Sequence, residues 1–289
     1  MSRTIFARTG TALVALSALA AGLVSTSAPA QAEEYHDPTL DLPRSTSPWP
    51  GIGPSRPFVQ SINIGGVVPL KNQAMVNRTE HGLLFRGGQQ NNNTTITQSN
   101  GQVRFVDTGT ASWKYLDPSC TSINVPQGVG ATCTIASKFA DSAPMLIEVW
   151  PRLGNDTIDS SALSDRFEIS FLGDRGHDVA LTGDGADFVN GAQDNDRASG
   201  GAGRDWLRTN IGDDWIDGGA DGDYLVGVDG QDVIYGGTGD DILIGLAGHD
   251  KLYAGEGRDK VSCGAGSDTA EAKSTDKVLA CESVSRSRS

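Results

Sequence analysis

The chain has 289 residues, 36 acidic and 23 basic, for a formal charge of −13 at pH 7. Hydrophobic residues make up 37% and aromatics 6%, low for one large apolar core, and the negative charge excludes a binder of nucleic-acid backbones, which needs a basic face. Of the 37 glycines, 23 fall in residues 173–280, with 20 Asp, 2 Glu and nine Lys or Arg; such a block is either disordered or held together by cations.

In chain order, residues 1–32 have the pattern of a secretory signal peptide. Arg3 and Arg8 form the basic end, Thr11 to Val24 the apolar stretch, and Ala30-Gln31-Ala32 a small-x-small cleavage site. The apolar run is shorter than the roughly 18–20 residues that span a bilayer, and no later segment is long and apolar enough to do so. The expected protein is exported and soluble, extracellular or loosely held in a cell envelope. Residues 33–57 hold six of the twelve prolines and predict an extended arm.

Residues 58–172 predict a small β-rich domain that caps the C-terminal part of the chain. Phe58 to Val68 is rich in β-branched residues. Thr94 to Val106 carries Asn100-Gly101 at a hairpin turn between alternating segments, and Met145 to Trp150 and Phe167 to Leu172 are further strands. The polar run Gln89-Gln90-Asn91-Asn92-Asn93 reads as a solvated loop. Four cysteines allow three pairings, and proximity favours Cys120–Cys133 and Cys263–Cys281. Export suits disulfides; zinc is the rival, but no C-x-x-C pair or nearby histidine supports it.

From Gly173 a nine-residue period takes over. Asp recurs at 178, 187, 196, 205, 214, 223, 232, 241, 250, 259 and 268, that is Asp178, Asp187, Asp196, Asp205, Asp214, Asp223, Asp232, Asp241, Asp250, Asp259 and Asp268. Gly stands two residues before most of them, as in Gly185, Gly203, Gly239 and Gly257, with Asp194 and Asp221 as exceptions. An apolar residue stands two after each, from Ala180 to Ala270. The cleanest unit is Gly236-Gly237-Thr238-Gly239-Asp240-Asp241-Ile242-Leu243-Ile244.

This pattern, G-G-x-G-x-D-x-U-x, resembles the RTX or haemolysin-type calcium-binding repeat family over residues 173–271. Leu153 to Ile158 looks like an isolated first unit. A degenerate last unit, 272–280, has Lys277 in the Asp place and keeps Leu279. The whole chain is also similar to exported actinobacterial RTX calcium-binding proteins.

The resemblance implies an all-β fold: a right-handed parallel β-roll over 173–280, each unit giving a six-residue turn and a three-residue strand, with two units per coil. Residues 281–289 would form a cap and frayed tail. Position eight of each unit would point inward, with seven and nine outward. Residues 18 apart would stack about 4.8 Å apart, making two columns of aspartates that repel without a cation. The implied cofactor is Ca2+, held by those aspartates and turn carbonyls. The turn glycines Gly183, Gly201, Gly219, Gly237 and Gly255 lie on one edge, with Gly185, Gly203, Gly239 and Gly257 beside them. The other edge has Asp174, Ala192, Asn210, Val228 and Leu246 in the second position, so calcium should be tighter on the all-Gly edge. Cys263 and Cys281, 18 residues apart, would then face each other across one coil.

Phe188, Trp206, Tyr224 and Ile242 form an outward stripe, either stacking across strands or docking another surface. The leading function is a secreted calcium-binding protein whose repeats fold on export. The alternative is an adhesin or envelope-interaction protein with an unspecified cell-envelope or matrix partner. A hydrolase with accessory repeats is the lesser one, since neither H-E-x-x-H nor G-x-S-x-G occurs and the four histidines, His36, His81, His177 and His249, are scattered. No catalytic residue is assigned.

Overall fold

The computed structural model describes Leu70, residues 72–139 and residues 144–287, all within one compact unit. The signal-like segment 1–32, the arm 33–57 and the predicted strand Phe58–Val68 lie outside the described residues. Those described are almost wholly β, with a single 3-10 turn at Ser137–Phe139. Among them no helix is long and apolar enough to cross a membrane.

Two sheets of 11 and 12 strands enclose one core. The first runs in space from Lys277–Leu279 back through alternate repeat strands to Phe167–Leu172, then Met145–Trp150, Gly82–Arg86, Gln73–Arg78 and Ser112–Leu116. The second runs from Ser283–Ser287 back to Thr157–Asp159, then Asn93–Ser99, Gln102–Asp107, Val129–Thr134 and Cys120–Ile123. Within the repeats, successive units alternate between sheets and each strand pairs in parallel with the strand one coil on. Leu207, Leu225, Leu243 and Val261 are partners in one sheet, and Ile216, Ile234, Leu252 and Ala270 in the other. This is the parallel β-roll that the family resemblance implies.

The period also sets the core. Every eighth-position side chain from Ala180 to Ala270 is at most 3% exposed, while positions seven and nine are half-buried or exposed except at Arg208 and Val226, which are covered. With one apolar side chain per nine residues the core is thin, so burial alone holds it weakly. The outward stripe stacks across strands: Phe188 meets Trp206 edge-on at 5.5 Å and Trp206 meets Tyr224 at 5.8 Å. The opposite sheet has its own stack, Tyr235 on Tyr253 at 4.6 Å.

The sheets do not break at residue 173. Phe167–Leu172 pairs in parallel with Met145–Trp150 on one side and with Phe188–Gln193 on the other, and Phe85, Phe105, Ile147 and Phe171 join the core of the repeats. The Asn-Gly hairpin forms as predicted, with Asn100 at φ 51° and Gly101 at φ 71°.

The far end departs from the predicted register. Lys277 pairs with Lys260 and Val278 with Val261, so the last turn is one residue shorter than the repeat. Val278, not Leu279, takes the place opposite the core; Leu279 is 53% exposed. The tail is not frayed over its described length, because Ser283–Ser287 pairs with Thr269–Lys273. Both predicted disulfides are present. Cys120–Cys133 links directly paired strands, and Cys263–Cys281 spans one coil with Cα atoms 5.0 Å apart.

Candidate metal centre

Each unit turns a corner in its first six residues, and the corners stack along two edges. The first edge carries Asp178, Asp196, Asp214, Asp232, Asp250 and Asp268, and the second Asp187, Asp205, Asp223, Asp241 and Asp259. Stacking this close leaves no room for a Cβ at the fourth-position glycines. A Cβ on Gly248 would collide with the carbonyl oxygen of Gly230, and one on Gly230 with that of Gly212. These glycines have φ of 148° and 140°, so the chain turns where L side chains rarely go. Asp194 and Asp221, which replace Gly here, still adopt φ 74°. Of the predicted turn glycines, Gly201, Gly203, Gly219, Gly237, Gly239, Gly255 and Gly257 have φ between 93° and 141°; Gly183 and Gly185, in the first coil of the second edge, do not share that conformation.

The aspartates point inward and are at most 6% exposed. Their two oxygens have different fates. Oδ1 accepts the backbone N–H of the aspartate one coil earlier: Asp178 donates to Asp196 at 2.8 Å, Asp196 to Asp214 at 2.7 Å and Asp205 to Asp223 at 2.9 Å. Oδ2 is buried with no hydrogen-bond partner in Asp156, Asp178, Asp196, Asp205, Asp214, Asp223, Asp232, Asp241, Asp250, Asp259 and Asp268. Asp187 is the exception, its Oδ2 accepting the Gly183 N–H at 3.2 Å.

The space around Oδ2 is lined by more acceptors. A Cβ built on Gly218 would meet both Asp223 Oδ2 and, at 2.6 Å, the carbonyl oxygen of Gly236 in the next coil. A Cβ on Gly236 would meet Asp241 Oδ2 at 2.6 Å and the Ala254 carbonyl. Acceptor therefore faces acceptor out of contact with water, an arrangement that costs several kcal/mol per charge unless something positive intervenes.

The titration reflects this crowding. Burial, with carboxylates of adjacent coils adding to it, pushes Asp196 and Asp232 up to about 8. Burial likewise raises Asp178 to about 7, Asp223 to about 8 and Asp241 to about 6. Carboxyls raised in this way take up a proton, or a metal in its place, more readily than exposed ones. A hard divalent cation that takes six to eight oxygens suits this donor set. Among the described residues no three His, Cys, Asp or Glu side chains converge, so a cation here would draw on turn carbonyls as much as on carboxylates.

Side chains at the fifth position form a second, outer ladder. The N–H groups of Gln231, Asp213 and Asn195 donate to Asp213, Asn195 and His177, each one coil earlier. His177 and His249 are therefore exposed turn residues. Two acidic residues at the far end escaped the sequence pattern. The N–H of Asp259 donates to Asp276 Oδ1 at 3.2 Å, and that of Asp268 to Glu282 Oε2 at 2.8 Å. Their spacings of 17 and 14 residues hid them.

In comparisons with known proteins, residues 170–198, 199–234 and 235–270 match the model of the RTX calcium-binding nonapeptide repeat. No curated protein and no solved structure matches the chain. Periodicity, fold and family model agree: over residues 170–270 this chain is an array of RTX calcium-binding nonapeptide repeats.

Proposed function

We propose that this protein is an exported calcium-binding protein whose roll folds when calcium enters between stacked turns. The observation that carries this is the row of buried, partnerless Asp Oδ2 atoms set among turn carbonyls. The ligands would be Asp178 to Asp268 on the nine-residue register, with carbonyls of the second- and fourth-position turn residues, Gly201, Gly203, Gly219, Gly237, Gly239, Gly255 and Gly257 among them. Gly183 and Gly185 would serve in the first coil of the second edge.

Inside a cell, where calcium is scarce, mutual repulsion along both edges would keep the chain open. Outside, millimolar calcium would fill sites with dissociation constants of about 10⁻⁴–10⁻³ M, and binding would supply the folding free energy. Two disulfides suit an oxidising compartment, and the signal-like segment 1–32 suits export. The front residues would serve as a cap that begins the core. The test is circular dichroism of the mature chain with calcium and with chelator. At neutral pH the β signal should rise on adding calcium and fall in chelator; identical spectra would sink the reading.

A further inference from the structure

The carboxylate series does not begin where the repeats do. Residues 151–159, outside the span matched by the family model, keep Gly154, Asp156 and Ile158 of the repeat pattern and have the backbone of a repeat. Arg152, in the second position, has φ 78°, and Gly154, in the fourth, φ 135°. A Cβ on Gly176 would collide with the Gly154 carbonyl, the same stacking seen between later coils. Ile158 takes the inward eighth place, 0% exposed and paired with Ala180. Asp156 takes the sixth place. Its N–H donates to Asp178 Oδ1 at 2.9 Å, its side chain is 0% exposed, and its Oδ2 has no partner.

One coil further forward, residues 87–95 continue the stacking and register, with Thr94 paired to Ile158, though Gly88 and Gln90 lack the positive φ of the later turns. Thr94 is inward, and Asn92 stands where Asp would, with its N–H on Asp156 Oδ1. The outer ladder also reaches back, His177 donating to Asn155 and Asn155 to Asn91. Here, however, the inner atom is a donor. Asn92 Nδ2 sits among four oxygens: Gln90 O at 2.9 Å, Pro151 O at 3.0 Å, Asp156 Oδ1 at 2.9 Å and Gly88 O at 3.5 Å. A Cβ on Gly87 would meet Asn92 Nδ2 and the Pro151 carbonyl, as one on Gly218 meets Asp223 Oδ2 and the Gly236 carbonyl. An amide nitrogen therefore fills, with two protons, the acceptor-lined space that later coils leave without one.

We infer that Asp156 supplies a calcium site beyond the nonapeptide array, binding the front part of the chain to the roll, and that Asn92 closes the series with a built-in substitute for the cation. This rests on the proposal that the repeats bind calcium. Calorimetric calcium titration of the full mature chain tests it with two opposite variants. Asp156→Asn should bind one calcium fewer than wild type, and calcium should no longer protect the amides of Thr157–Asp159 from hydrogen exchange. Asn92→Asp, which turns the substitute into a carboxylate, should bind one calcium more. Wild-type stoichiometry in either variant overturns the inference while leaving calcium binding by the repeats intact; a wild-type chain that binds no calcium overturns both.

Discussion

The two edges of the roll impose the same backbone on different residues. On the second edge the second turn position is Gly201, Gly219, Gly237 and Gly255, with φ from 93° to 107°. On the first edge it is Ala192, Asn210, Val228 and Leu246, with φ of 82°, 78°, 116° and 79°. Only Asn tolerates that region readily; a β-branched residue there is a marked outlier. The close stacking of turn on turn, rather than local preference, therefore dictates the conformation, and the first edge stores strain of about 1–3 kcal/mol at its worst positions. That edge also has the longer carboxylate series, reaching forward to Asp156, whereas the second begins at Asp187, which takes the N–H of Ile169 rather than of another aspartate.

The largest expected effect acts on both edges and comes from pH in chelator. Buried carboxyls such as Asp196 and Asp232 rise from 3.8 to about 8 in the metal-free fold, so the fold favours their protonated forms. Their stabilising contribution is whole below about pH 4 and is lost as pH rises through 8. Metal-free chain should gain β structure on acidification, and calcium-loaded chain should lose it; circular dichroism against pH with and without chelator checks both signs. A metal-free chain that stays equally folded from pH 4 to 8 would remove the charge argument from both edges.

A smaller effect comes from transplanting one edge into the other. Gly237→Val places a Cβ against the Gly219 carbonyl at φ 104°, and should destabilise the calcium-loaded roll by about 3 kcal/mol in thermal unfolding. The reverse exchange, Val228→Gly, relieves strain at φ 116° but frees the unfolded chain, for a net gain of about 1 kcal/mol by the same measurement. If both exchanges leave the melting temperature unchanged, the edges differ in sequence alone.

The repeat was legible because chemistry and geometry share a period. Asp every nine residues fixes which side chains face in and which sheet each strand joins; Cys263 still meets Cys281 although the last coil is one residue shorter than that period. Legibility fails where the coil changes length. Asp156, 22 residues before Asp178, was legible only within the isolated unit Leu153 to Ile158, and Asn92, 64 residues before Asp156, not at all, because strands and loops are inserted between coils. The run Gln89–Asn93 looked like a solvated loop, yet Asn92 is 2% exposed and occupies a coil. At the other end, a turn shortened by one residue moved Asp276 into the place assigned to Lys277.

The last strand, Ser283–Ser287, is exposed along its length and consists of serines, one valine and Arg286, whose guanidinium donates back to the Lys273 carbonyl. A solenoid has two raw ends, and each invites another molecule to add to it as a further rung. Here one end finishes in a polar strand carrying a positive charge, with the Cys263–Cys281 bond just behind it. Growth into fibres is thereby discouraged at that end, and under the proposed binding of calcium between rungs the same strand would keep the ion from joining one chain to the next.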